Sequence, residues 1–372
     1  SSTKFHYNGY AQVYKVENLA PNGDSLNYVR LGSLQVPNAN QFDCPRFVDR
    51  RTWTKDFNNN QEVVTNNSVT TGQPYSLPDN ITGTATKIDV WITGHPNNLI
   101  NRSFVGESGW KEGLPIATED WTEIPNGWTR QRWTWTKYTQ DNTALTYALN
   151  PRVIETRVGD NTASVKKTAI EYNTVPGSPT VAEYGLVKKV EVGDLSTVWK
   201  KVETDYNLSP DYVTKRILGL PSETRAWGKN DLTLALEFVS KATYDYDQGN
   251  FGDTTLNQNI STATQHDYAN YGQTFIVGRG NLTATTRCDV TVSGDTPGSS
   301  CGGSVTSTVK YNTTGAPVSQ TDPVGRVTRI GYTDVFNSNG NPATFAYPTT
   351  LTDPAGTSLG DVLHSSTVKY RY

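Results

Sequence analysis

With 372 residues and a net charge of -3 spread without long runs of either sign, the chain lacks the basic footprint of a nucleic-acid binder and the polybasic patch of a membrane-surface protein. Hydrophobic residues make up only 35% and mean hydropathy is -0.57. No window has the unbroken apolar length of a membrane span, and 20 Tyr and 9 Trp supply much of the surface available for burial.

Alternation of β-formers with polar groups begins in TKFHYNGYAQVYKV (3–16) and recurs in STVKYNT, VTRIGYTD and the closing STVKYRY. Between such runs lie PNGD, NNNQ, DPVG, NSNGNP and DPAG, the residue types that turn a chain. This pattern predicts an all-β fold of consecutive hairpins. The division expected is an N-terminal β-rich region over 1–150 and a repeat region over 151–372. The absence of Met and a first residue of serine read as a processed or partial segment of a longer product.

The N-terminal region holds Trp110, Trp121, Trp128, Trp133 and Trp135, with WTRQRWTW at 128–135. Trp133 and Trp135 alternate with Thr134 and share a strand face. There they either fill an interior, the stronger reading, or form a platform for stacking on a glycan, with Arg130 and Arg132 beside it. Further on, GKNDLTLALEFVSK (228–241) is the one amphipathic window of helical length, and its spacing fits a strand nearly as well. In YDYDQGN (244–250), Asp245, Asp247 and Asn250 have oxygens spaced for calcium, or flank a strand end in solvent. GRGNLT (278–283) lies between strands, where glycine marks a bulge or bend.

Three Cys are too few for a disulfide scaffold. Cys288 and Cys301 bracket a Gly/Pro/Ser loop between two short strand ends, so they are either a hairpin-closing disulfide or two neighbouring thiols. Cys44 has no evident partner. His6, His95, His266 and His364 stand far apart, and no motif calls for a metal or a cofactor.

The clearest unit begins at Tyr311. That residue ends a strand, Asn312 to Gly315 turn the chain, Val318 to Thr321 return, and Asp322-Pro323-Val324-Gly325 turn it again into a strand carrying Arg326 and ending near Tyr332. Proline fixes φ, the aspartate bonds a downstream amide, and glycine accepts a positive φ. Tyr-Asn or Tyr-Asp pairs recur at Tyr7, Tyr172, Tyr206, Tyr244, Tyr246 and Tyr311. Tyr311 and Tyr332 are 21 residues apart, Tyr172 and Tyr206 34, and Tyr206 and Tyr246 40. The longer spacings read as hairpins with insertions, and the recurrence as one stacked supersecondary unit.

Y-N-x-x-G, D-P-x-G-R-x-T and Y-x-D resemble the RHS or YD repeat. GRGNLT, YDYDQGN, NTTG (312–315) and TFAYPTTLTDPAG (344–356) are similar to the wording of large bacterial secreted RHS-repeat proteins, most closely over 150–372; DCPRF and NNNQEV extend the likeness upstream. The resemblance implies a β-sheet ribbon that spirals into a hollow shell, as in secreted polymorphic toxins, insecticidal toxin shells and teneurins. The structural turn residues would then be Tyr311, Gly315, Asp322, Pro323, Gly325, Arg326, Tyr332, Asp353 and Gly356.

The chain is thus expected to be non-enzymatic wall of a secreted or cell-surface protein, enclosing toxin cargo or building an extracellular structure. Its partners would be the rest of the same polypeptide or neighbouring copies, through edge strands. An adhesive, glycan-binding module is the alternative. Last comes self-cleavage by the aspartates of the two Asp-Pro-x-Gly steps, Asp322 and Asp353, whose separation is longer than the family's pattern.

Overall fold

The computed structural model describes residues 2–32, 47, 49–78, 80–94, 98–162, 164–248, 259–261, 263, 266–332, 345–353 and 364–368. Cys44, Asn250 and Gly356 lie outside the described residues, as does His95. The fold is all-β: 21 strands form one sheet in which each strand is hydrogen-bonded to its neighbours in sequence. The strands are β1 (Ser2–Tyr7), β2 (Val13–Leu19), β3 (Ser25–Leu31), β4 (Asp49–Thr54), β5 (Val63–Leu77), β6 (Ile81–Thr93), β7 (Leu99–Val105), β8 (Pro115–Ile124), β9 (Gly127–Thr139), β10 (Arg152–Asp160) and β11 (Val165–Val175). They continue as β12 (Ser178–Gly193), β13 (Val198–Tyr206), β14 (Pro221–Lys229), β15 (Leu236–Tyr246), β16 (Leu282–Cys288), β17 (Ser304–Tyr311), β18 (Pro317–Thr321), β19 (Val327–Gly331), β20 (Thr350–Thr352) and β21 (Ser365–Thr367). Among the described residues helix is confined to single turns such as α1 (Pro210–Val213) and α2 (Tyr268–Tyr271). Among the described residues no helix is long and apolar enough to cross a membrane.

The chain forms two compact units: Ser1–Ile170 with Thr174–Ala182 and Val192–Thr197, and Val198–Tyr372 with Glu171–Asn173 and Glu183–Glu191. In the first unit, β5 and β6 make a long hairpin whose tip residues Leu77 and Ile81 pack with Ala85, Phe104, Ala117, Trp133 and Val165. The tip of one hairpin therefore meets strands well removed in pairing order, so the sheet of this unit bends around its own core. Aromatic side chains lie across glycines on the facing strand. Tyr75 is opposite Gly83 and Trp133 opposite Gly159, and neither glycine leaves room for a Cβ.

Beside that core runs a ladder of alternating charge. Lys87 lies 3.2 Å from Asp89, Asp89 2.7 Å from Arg102, Arg102 3.5 Å from Glu119, and Glu119 2.8 Å from Arg130, crossing β6 to β9. Asp89 and Glu119 are buried. Each is faced by cations on both sides, which offsets the cost of removing a carboxylate from water. The Trp121 indole donates to Glu119 at 3.0 Å and lies under the guanidinium groups of Arg102 and Arg130.

In the second unit the same arrangement carries more of the burial. Lys201 and Glu203 are 3.1 Å apart, Glu203 and Arg225 3.0 Å, Arg225 and Glu223 2.6 Å, and Glu223 and Lys241 3.3 Å. Arg225 and Lys241 are 2% and 1% exposed, so these cations lie as deep as any apolar residue of the unit. The helical-length window at 228–241 is a turn closed by Asn230 followed by the start of β15. The Asn230 side-chain oxygen accepts the amides of Leu232 and Thr233 and holds that turn. The Tyr172–Asn173 pair lies within β11 rather than at a repeat turn.

A Cβ on Gly159 would lie 2.4 Å from the Trp133 indole nitrogen. Gly159→Ala is expected to destabilise the protein by about 2 kcal/mol through overpacking. Thermal unfolding of Gly159→Ala, Trp133→Leu and the double variant checks this, with the double variant less destabilised than the sum of the singles.

Candidate functional site

The repeat turn is built the same way at four short hairpins. At Asn8, Ala20, Asn312 and Asp322 the amide of the first residue donates to the carbonyl of the fifth, and the amide of the fourth donates back to the carbonyl of the first. The fourth residue takes positive φ: Ala11 at 58°, Gly23 at 87°, and Gly315 and Gly325 at 85° each. This is a turn ending in a left-handed residue, which adds a bulge and shifts the register by one. The shift falls at Tyr7, opposite Val13, and at Tyr311, opposite Pro317.

Side chains lock the first position. Asn312 accepts the amides of Thr314 and Ala316, Asn8 those of Tyr10 and Gln12, and Asp322 those of Val324 and Arg326. The amide of Arg326, followed by its guanidinium and the amide of Val324, holds the Asp322 carboxyl below its ordinary range. Arg326 Nε closes on Asp322 Oδ2 at 2.7 Å. Pro323 occupies the position where a fixed φ assists the turn. The residues singled out from Tyr311 to Arg326 therefore form two successive copies of one device.

Tyrosine hydroxyls tie one copy to the next. Tyr332 donates to the carbonyl of Pro317 at 2.9 Å, and Tyr311 to that of Leu282 at 3.0 Å. Tyr206 donates to Val187 at 2.8 Å, and in the first unit Tyr138 donates to Pro115 at 2.9 Å. Pro317, Leu282 and Pro115 are each the first residue of a strand and each stand opposite a register shift. The hydroxyl thus supplies a donor to a backbone carbonyl at the turn end of the ladder. Burial pushes the Tyr138, Tyr206 and Tyr311 hydroxyls up from their ordinary value, which keeps them protonated and donating.

Where the turn is replaced by a long insertion, between Tyr246 and Leu282, the second residue of the Tyr-Asp pair takes over. Asp247 Oδ2 accepts the amides of Gly278, Arg279 and Gly280 at 3.1, 2.9 and 2.9 Å, and Oδ1 accepts Asn281 at 2.9 Å. Gly278 and Gly280 have φ of 87° and 76°, and a Cβ on Gly278 would strike Lys215 and Asp211. The Arg279 side chain bonds the carbonyls of Phe275 at 2.6 Å, Thr313 at 2.7 Å and Gly272 at 3.0 Å, and also that of Tyr271. Sequence reading marked GRGNLT as a bend and missed that its amides receive Asp247. The signal was a glycine-rich run just before the strand that pairs with the Tyr-Asp strand.

The remaining expectations are placed as follows. Both Asp247 oxygens are committed to amides, and among the described residues no group of three or more His, Cys, Asp or Glu is arranged to hold a metal ion. Trp133 is 1% exposed, and Trp135 packs against the same cluster with Arg157 over its ring. Trp133 therefore fills the core and offers no open face to a glycan. Asp353 is exposed, its amide donating to the carbonyl of His364 at 2.8 Å. A disulfide joins Cys288 to Cys301.

No family model matches the sequence, and no curated protein matches it. Among solved structures, the chain is similar to TcdB2-TccC3 without its hypervariable C-terminal region, at 11% identity over 91% of this chain and 24% of that one, with a TM-score of 0.39. It is similar to the Photorhabdus luminescens Tc holotoxin pore at 10% identity over 99% of this chain and 19% of that one, with a TM-score of 0.24. A porin-like protein from Bacteroides uniformis is matched at 10% identity over 79% of this chain and 91% of that one, with a TM-score of 0.22. The chain spans less than a quarter of the length of the TcdB2-TccC3 and holotoxin chains. These likenesses assign no family.

The turn geometry makes opposite forecasts for two positions. A Cβ on Gly325 would meet nothing within 4 Å, so Gly325→Ala should cost about 1 kcal/mol through backbone conformation alone. Ala11→Gly should stabilise by up to about 1 kcal/mol, because Ala11 already occupies the left-handed region. Denaturant midpoints of both variants check the pair; changes of the same sign would contradict the shared turn.

Proposed function

We propose that this chain is wall: a segment of RHS/YD-type sheet in a secreted or cell-surface protein, acting without catalysis or cofactor. The observation that carries this reading is the tyrosine hydroxyl that bonds a backbone carbonyl of the neighbouring strand at Tyr138, Tyr206, Tyr311 and Tyr332. Such a unit adds strand by strand to one growing sheet, and every copy satisfies its own backbone while handing the next an open edge. The role is to present a continuous hydrogen-bonded barrier, around an encapsulated toxic polypeptide or as an extracellular structure. The disulfide between Cys288 and Cys301 supports an oxidising compartment.

Partners follow from the edges. Among the described residues β1 pairs with β2 alone and β21 with β20 alone. A strand from the remainder of the same polypeptide, or from a neighbouring copy, would pair with these edges through backbone hydrogen bonds that need little side-chain specificity. Phe5 and Tyr7 on β1 are 54% and 61% exposed and would gain cover in that pairing.

Size-exclusion chromatography with light scattering on the 372-residue chain, combined with amide hydrogen exchange, tests the reading. Concentration-dependent association with protection appearing in β1 and β21 is expected. A monomer at every concentration whose β1 amides are all protected would mean that the edge is already covered, and the wall reading would fall.

A further inference from the structure

We propose that the loop closed by Cys288 and Cys301 is a redox-released clasp over the buried end of the charge ladder in the second unit. Lys241 stands directly opposite Cys288 in the β15–β16 register. Its side chain is 0% exposed and its ammonium lies 3.3 Å from Glu223. The hydrogen bonds that complete it come from the disulfide loop: Nζ donates to the Ser299 carbonyl at 2.7 Å, the Ser299 hydroxyl at 3.0 Å and the Gly294 carbonyl at 3.4 Å. A lysine this deep is stable only while those oxygens stay in place.

Apolar packing does little to hold the loop. Its residues are DVTVSGDTPGSS, and Val292, a large apolar side chain in it, is 61% exposed. Internal order comes from polar contacts: Asp289 N to Gly303 O at 2.6 Å and Val292 N to Asp289 O at 3.3 Å at one neck, the Thr291 amide and hydroxyl to Asp289 Oδ1 at 2.9 and 2.7 Å, and Gly294 N to Ser300 O at 3.2 Å, Ser299 N and Oγ to Thr296 O at 3.1 and 2.6 Å, and Ser293 Oγ to Gly302 O at 2.9 Å toward the tip. Ordering a Gly/Pro/Ser segment through polar contacts alone is helped by the cross-link at its neck, which removes open conformations in advance. Both cysteines are half-buried rather than sealed, so a small reductant reaches them.

The releasing reagent is a dithiol. Its thiolate attacks one cysteine sulfur, breaking the S–S bond and forming a mixed disulfide while the other cysteine leaves as a thiolate. The reductant's second thiolate then displaces the remaining cysteine and closes its own disulfide. Two electrons pass from dithiol to protein, and the two protons shed by the reductant end on the cysteine thiols. The freed loop then opens, Lys241 exchanges the Ser299 and Gly294 oxygens for water, and the Glu223–Arg225 pair beneath becomes hydrated.

Amine acylation of the full chain, read by peptide mass spectrometry, tests this directly. Treatment with dithiothreitol followed by cysteine alkylation should raise the labelling rate of Lys241 at least about tenfold, because a local opening becomes accessible. Lys87, in the first unit, should keep its rate. The Cys288→Ser, Cys301→Ser double variant should show the fast rate without reductant; if it does not accumulate folded, the reduced wild-type protein carries the test. Lys241 remaining as slow after reduction as before would overturn the clasp. So would an equal acceleration at Lys241 and Lys87, which would mean general unfolding rather than release of one loop.

Discussion

The tyrosine hydroxyl that reaches the carbonyl at the start of the neighbouring strand is the interaction on which this architecture depends. A sheet that reverses every few residues accumulates turn ends, and each bulge shifts the register just where pairing begins. Backbone carbonyls there need a donor that strand pairing does not guarantee. Tyr138, Tyr311 and Tyr332 each supply one, at 2.9 to 3.0 Å, and Tyr206 makes a like bond to Val187 within β12 at 2.8 Å. The ring also spans the distance between adjacent strands and buries apolar area as it does so. A tyrosine at the end of a strand is therefore both packing and hydrogen bonding.

The second support is electrostatic. Among the described residues the one compact apolar cluster lies in the first unit, and elsewhere charge ladders crossing several strands occupy the places that a core would take. Such ladders add little stability over apolar packing of the same volume, but they are unforgiving of partial loss. Arg225, in contact with Glu203, Asp205 and Glu223, ties adjacent strands in one register. A slip by one residue would turn one strand's charges to the other face and leave its partners' charges unpaired. Register specificity is the property that a wall made of repeated, similar strands needs most.

Much of the strand and turn plan was legible in the residues themselves. Asp322-Pro323-Val324-Gly325 reads as a turn because each residue type has a local backbone reason to be there, and such reasons survive without knowledge of the rest of the chain. Period-two alternation in VTRIG and STVKY was legible for the same reason. What stayed hidden was long-range. Nothing near Asp247 announces that amides some thirty positions later will receive its carboxylate, and nothing near Lys241 points to Ser299. Trp133 and Trp135 were correctly set on one face, yet whether that face was open or covered depended on the β5–β6 hairpin bending back over it. The Tyr172–Asn173 pair misled because a repeat motif carries its meaning only at a turn, and there the strand runs through it.

The central claim is that hydroxyl bridges at the turn ends hold successive hairpins together. Its most direct test is the combined replacement of Tyr206, Tyr311 and Tyr332 by Phe, which keeps the rings and removes only the oxygens. Equilibrium unfolding with residue-level hydrogen exchange should show a loss of about 1 kcal/mol or more per hydroxyl. Protection should fall first where those hydroxyls reach, near Val187 in β12 and at the starts of β16 and β18. An unchanged unfolding midpoint with undisturbed exchange at those ends would show that ring packing alone holds the hairpins, and would contradict the account.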